Sequence, residues 1–152
     1  MELKLHPPIV MLLCAGLMKL LASWLPLAAL PLPPAAATGL ALVLAAAGAV
    51  SGMAGVVAFA CQRTTVNPHR PERTSALVTG GIYRFTRNPM YLGMALFLAA
   101  WALWLGQLTP WLGIWAYVAF INRFQIAPEE RVLAEKFGED WEQFCRRTRR
   151  WI

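Results

Sequence analysis

Two long stretches of this chain, residues 20–62 and 89–122, carry no charged side chain, and polar, basic segments separate and follow them. A bilayer-spanning helix needs about 20 apolar residues, so each block can hold about two passes, the first shared with the run before Lys19. Turn residues divide the blocks. "LPLAALPLPPAAATG" (Leu25–Gly39) holds Pro26, Pro31, Pro33 and Pro34 and cannot continue as one helix, because proline lacks a donor and clashes with the preceding turn. "GQLTP" (Gly106–Pro110) breaks the second block. The pattern predicts spans at about residues 8–25, 36–61, 88–105 and 110–126, a loop at 62–87 and a tail at 127–152. The expected fold is all-α: one polytopic membrane domain over residues 1–152, with about four transmembrane helices and a C-terminal cytoplasmic amphipathic helical segment.

Composition agrees. Hydrophobic residues make up 58% and charged residues 14%, against about 45–50% and about 25% in soluble domains. The two outer turns lack Lys and Arg. The loop holds Arg63, Arg70, Arg73, Arg84 and Arg87, and a further basic group begins at Arg123. The positive-inside rule then places the loop and both termini in the cytoplasm, in a multi-pass protein of a bacterial-type inner membrane. The net charge of +6 is an orientation and headgroup signal, and no nucleic-acid partner is expected. In the second span Gly48 and Gly52 form a GxxxG pair, flanked by Ala41, Ala45 and Gly55, a packing face within the bundle. Lys19 is expected to snorkel to the interface. Cys14, Cys61 and Cys145 lack metal-ligand spacing, so no metal site is expected.

The tail reads differently. Pro128 suits a first helical position, with Glu129 and Glu130 in the first turn where the helix dipole favours acids. Val132, Leu133, Phe137, Trp141, Phe144 and Cys145 form one apolar face, and Gly138 suggests a break or bend, so the tail is one helix or two short ones. Arg146, Arg147, Arg149 and Arg150 suit an anionic inner leaflet.

Spans three and four are joined by a short turn, so their cytoplasmic ends are neighbours. Tyr83, Asn88, Tyr91 and the Glu129–Glu130 pair therefore converge at one membrane–water boundary. Aromatic rings and carboxylates there suit a polar ligand with a cationic part and hydroxyls. "LVTGGIYRFTRNPMYLG" (Leu77–Gly93) and "PEERVLAEKFGEDWEQFCRR" (Pro128–Arg147) resemble the two signature blocks of the isoprenylcysteine carboxyl methyltransferase family. That family belongs to a wider set of membrane methyltransferases with the phospholipid N-methyltransferases, and the similarity runs from about Thr64 to the C terminus.

The resemblance implies S-adenosylmethionine as cofactor. It places Ser75, Ala76, Leu77, Val78 and Tyr83 in the cofactor pocket, and matches Asn88, Pro89, Met90 and Tyr91 to the family's His-Pro-x-Tyr element. Glu129 matches the cofactor-binding glutamate, with Glu130 beside it. Two departures stand out. Asn88 replaces the histidine, and Gln125 stands where the eukaryotic enzymes place a substrate-contacting arginine, leaving Arg123 as the nearby cation. Arg123 and Gln125 are thus the candidate acceptor-handling residues. The acceptor is expected to be a membrane-dissolved amphipath, in the first instance a carboxylate such as that of an isoprenylated cysteine. A carboxylate is ionised at neutral pH and needs no general base, whereas an amine must lose a proton. The other readings are a phospholipid amine N-methyltransferase and a non-enzymatic membrane transporter or scaffold.

Overall fold

The computed structural model describes residues 5–61 and 76–152, so Ser75 and the loop arginines Arg63, Arg70 and Arg73 lie outside the described residues. Six helices follow in order: α1 (Pro7–Trp24), α2 (Pro34–Cys61), α3 (Pro89–Leu105), α4 (Trp111–Ile121), α5 (Ala127–Phe137) and α6 (Glu139–Arg147). A short 3-10 turn, Gly81–Arg84, leads into α3, and a π-helical turn, Asn122–Ile126, joins α4 to α5. Prolines open α1 and α3, where a missing N–H costs nothing. Gly106 ends α3 in the left-handed conformation, at φ 65°.

The two expected outer turns meet. Ala29 and Gln107 form an isolated antiparallel bridge, flanked by Leu30 N–H donating to Gly106 O (2.8 Å) and Leu108 N–H donating to Ala28 O (3.0 Å). The α1–α2 and α3–α4 connections therefore lie at one end of the bundle and the functional segments at the other. Lys19 is exposed, which keeps its charge out of the helix interior.

The small-residue face of α2 packs against α3. A Cβ built on Gly93 would sit 2.6 Å from the Gly48 carbonyl oxygen and 3.1 Å from Gly52 N, so the two backbones touch. Ser51 Oγ donates to Pro89 O at 2.8 Å in the same seam, and Gly55 leaves room for Pro89 and Met90. On the other side α1 meets α3 and α4: Trp101 Nε1 donates to Ala15 O (3.1 Å), and Gly113 accommodates Met18. Val10, Met18, Tyr91, Leu98, Ala102, Tyr117, Ile121 and Ile126 form the core between these helices.

One expectation is supported in part and another changes. By length and composition α1 and α2 can cross a membrane, and only 22% of either apolar window is buried, the reverse of a soluble core helix. The apolar α3 is shorter, and α4 alone has 11 residues, about 17 Å at 1.5 Å per residue. Among the described residues two single α-helices are thus long and apolar enough to cross a membrane, which supports the membrane fold and leaves the four-span count as an expectation. The tail does not begin a new helix at Pro128. Helical backbone runs from Trp111 to Phe137, with Ala127 N–H donating five residues back to Asn122 O. A proline within a helix lacks a donor and crowds the carbonyl four residues earlier, here Phe124, and the wider π-turn relieves that conflict. Glu129 and Glu130 consequently do not face a free helix N-terminus, and the dipole rationale for them fails. The expected break at Gly138 is present: its φ of 47° and ψ of −119° suit glycine, and α6 starts at the next residue.

The α2–α3 seam yields the first prediction. Gly93→Ala forces a methyl against the Gly48 carbonyl and should cost about 1–3 kcal/mol by overpacking. Gly52→Ala, whose Cβ would meet nothing within 4 Å, should leave stability unchanged or slightly raised. Thermal unfolding in detergent checks the pair, and equal melting temperatures for the two variants would refute the seam.

Candidate functional site

The end of the bundle opposite the Ala29–Gln107 bridge is organised by two adjacent glutamates with different surroundings. Glu130 receives Arg87 Nη2 at 2.9 Å, Arg150 Nε at 3.1 Å and Arg150 Nη2 at 2.5 Å. Its side chain and that of Arg87 are largely shielded, at 18% and 12% exposure, while Arg150 is more open at 40%. Arg87 also donates through Nη1 to the carbonyls of Thr148 (2.6 Å) and Cys145 (3.4 Å), and its guanidinium lies 5.7 Å from the Trp141 ring centroid. Nearby, Arg87 N–H donates to Arg149 O (3.0 Å), and Thr86 Oγ1 (3.3 Å) and Asn88 Nδ2 (3.0 Å) donate to Arg150 O. Trp151 Nε1 donates to Asn122 Oδ1 at 3.1 Å. The last residues are thereby sewn to the segment before α3 and to the π-turn. The arginines expected to meet headgroups divide accordingly: Arg87 and Arg150 are spent inside the protein, while Arg84, Arg146, Arg147 and Arg149 are exposed.

Glu129 points elsewhere, as neighbouring helical positions about 100° apart must. It accepts a hydrogen bond from Tyr91 Oη at 2.5 Å. Desolvation by burial raises the Glu129 carboxyl to about 8, with the Glu130 charge adding to the rise and the Tyr91 hydrogen bond opposing it. The Tyr83 hydroxyl is raised as well, by burial first and by the Glu129 charge second, which places both tyrosines in the field of this carboxylate. Tyr83 is held by an apolar cluster with Val78, Trp141 and Phe144, with Leu77, Leu133, Phe137 and Cys145 packed around it. Phe59 of α2 meets it edge-on at 5.6 Å. The apolar face of the tail therefore packs on the loop.

The structure brings Tyr83, Tyr91 and Glu129 together, with Leu77 and Val78 behind Tyr83 and Ala76 leading into them. The remaining candidates have structural partners. Asn88 bonds the Arg150 carbonyl, Pro89 and Met90 fill the space left by Gly55, and Glu130 holds two arginines. Gln125 is fully buried, and its Nε2 donates to Leu5 O at 2.6 Å, tying the π-turn to the start of α1. Arg123 is exposed on the same turn, 5.8 Å from the Phe124 ring centroid. Sequence reasoning did not find Thr86 and Thr148, which are buried at the loop–tail junction. A threonine between two arginines gives no periodic signal. Trp141 and Phe144 were legible only as an apolar face, and their partner was not.

Residues 36–140 match the family model described as phospholipid methyltransferase, the wider set to which the two sequence blocks pointed. An uncharacterized protein of Haemophilus influenzae is 46% identical over 63 residues, which cover 41% of this chain and the whole of that relative. No solved structure matches significantly.

The Glu129 carboxyl supplies the second prediction. The folded chain keeps a proton that the unfolded chain, near its ordinary 4.5, releases. The stabilising contribution is therefore fully present below about 4.5 and is lost as pH rises through about 8. Between pH 6 and 9 the melting temperature of the wild type should fall relative to Glu129→Gln, which cannot ionise. Parallel profiles would show that the carboxyl titrates normally.

Proposed function

The chain belongs to the phospholipid methyltransferase family, and on that premise we propose that it transfers a methyl group from S-adenosylmethionine to an acceptor dissolved in the bilayer. The observation that carries this reading is the Tyr91–Glu129 pair beside Tyr83. A carboxyl raised to about 8 by desolvation is short of positive charge, and a cationic ligand would supply it. The donor set fits the cofactor: a carboxylate for an ammonium or a ribose diol, and aromatic rings for a base or a sulfonium.

S-adenosylmethionine carries its transferable methyl on a sulfonium and supplies the electrophile when bound. Glu129, Tyr91, Tyr83 and the Ala76–Val78 segment are the residues assigned to hold it. Tyr91 orients the carboxylate through its hydroxyl. The cluster of Val78, Tyr83, Trp141 and Phe144 limits water on one side, so alignment and desolvation carry much of the catalysis. The proposed topology has four spans, α3 and α4 with its π-turn completing the two long helices, with α5 and the site on the cytoplasmic side. Arg123, exposed on the π-turn, is assigned to the anionic end of the acceptor.

The acceptor group separates two readings. A carboxylate such as that of an isoprenylated cysteine needs no proton transfer. A phospholipid amine must first lose a proton, to a carboxylate or to water. Gln125, turned to Leu5, removes one expected contact for a carboxylate, so the amine reading gains from the geometry.

The third prediction tests both the cofactor and the acceptor. Glu129→Gln should weaken S-adenosylhomocysteine binding in calorimetry by about 1.5–3 kcal/mol, the worth of a charged hydrogen bond. With labelled S-adenosylmethionine, the protein should methylate a lipid-tailed acceptor, phosphatidylethanolamine or a farnesylated cysteine, faster than its tail-free counterpart. Unchanged affinity would remove Glu129 from the cofactor site. Equal rates without a tail would refute a bilayer-dissolved acceptor.

A further inference from the structure

A concavity lies at the loop–tail junction. It is open to solvent, encloses about 310 Å³, and is lined by Thr79, Arg84, Phe144, Arg147 and Thr148. Neither Glu129 nor Tyr91 lines it. Arg84 ends the 3-10 turn, Arg147 lies about one helical turn beyond Phe144 on α6, and Phe144 both lines the concavity and packs on Tyr83. Among the described residues the lining offers two guanidinium groups, two hydroxyls and no carboxylate. The nearest acid–base pairing on α6, Arg146 with Glu142 at 3.7 Å, is solvent-exposed and outside the lining.

The end of a helix normally disfavours an anion, because its last carbonyls point outward. Here part of that end is covered: Phe144 O accepts from Thr148 N–H (3.0 Å), and Cys145 O and Thr148 O accept from Arg87. Arg147 Nε donates to Gln143 O (3.3 Å) on its own helix. The Arg87 guanidinium thus offsets the negative end of α6, and Arg84 and Arg147 bring positive charge to the concavity. Guanidinium groups with adjacent hydroxyl donors suit a phosphate, whose oxygens accept several bonds at once.

We propose that Thr79, Arg84, Arg147 and Thr148 form a phosphate-binding site, separate from the cofactor site, that takes the phosphodiester of an anionic lipid headgroup or free phosphate. The volume exceeds that of a phosphate alone, and the Phe144 ring gives the pocket an apolar wall. A lipid source fits a protein whose long apolar helices are exposed, since anionic headgroups are concentrated at the inner surface. The site goes beyond the methyl-transfer reading and does not require it.

The test uses the full chain in neutral detergent at fixed ionic strength, titrated by calorimetry with inorganic phosphate and with dihexanoyl phosphatidylglycerol. Both ligands should bind, and the combined Arg84→Gln and Arg147→Gln variant should lose about ten-fold or more in affinity for each. Each single variant should lose part of that, while Arg146→Gln should match wild type. Tighter binding of the lipid identifies a headgroup source, and equal or tighter binding of phosphate identifies a soluble one; both support the site. Binding that survives in the single and combined variants would overturn it. Competition by S-adenosylhomocysteine would also overturn it, by placing the pocket inside the cofactor site. Glu129→Gln should leave phosphate affinity unchanged, so failure of the methyltransferase reading and failure of this site give different results.

Discussion

The carboxylate of Glu130 holds together three parts of the chain that are far apart in sequence. It sits on α5, takes Arg87 from the segment before α3, and takes Arg150 from the last residues of the chain. A single partly buried anion between two guanidinium groups is worth keeping only when its geometry is satisfied, and removing it would leave Arg87 shielded and unpaired. Arg87 in turn closes the carbonyls of Cys145 and Thr148. The clasp thereby ties the end of α6, which carries Trp141 and Phe144 against Tyr83, to the segment before α3.

With Glu130 committed to structure, Glu129 is the carboxylate left for ligand chemistry. Its place depends on the other half of the molecule. Tyr91 is carried by α3, whose first turn is fixed to α2 by Ser51 and whose backbone contacts α2 at Gly48 and Gly93. Tyr117 Oη donates to Tyr91 O at 3.4 Å from α4, so three helices set the tyrosine that orients the carboxylate. The glycine seam and the salt-bridge clasp thus act on the same pair of side chains from opposite sides. The raised Glu129 carboxyl is the electrostatic consequence: a shielded acid whose nearest partner is a neutral hydroxyl.

Much of this was legible in the residues. Prolines and Gly106 set the helix limits to within about two residues at most ends, because their backbone restrictions act locally. The GxxxG face found its partner within the chain, and Gly138 broke the tail as its conformational freedom suggested. Tyr83, Tyr91 and Glu129 were brought near one another by the hairpin argument. What escaped was long-range or depended on register. Arg87 and Arg150 read as headgroup cations because composition cannot tell a paired arginine from a solvated one. The π-turn went unseen because Pro128 reads equally well as a helix start, and only backbone continuity from Trp111 shows otherwise. Gln125 and Asn88 were read through their matched positions, whereas their bonds to Leu5 and Arg150 depend on where the chain's two ends lie.

If the clasp is the organising interaction, its loss must be felt on both sides of it at once. Hydrogen exchange of wild type and Glu130→Gln in detergent reads this directly. The account predicts that amides of the segment 82–88 and of the chain end 144–151 lose protection together and to similar extent, while the α2–α3 seam stays protected. Loss confined to α5 around residue 130, with both distant segments unchanged, would contradict it.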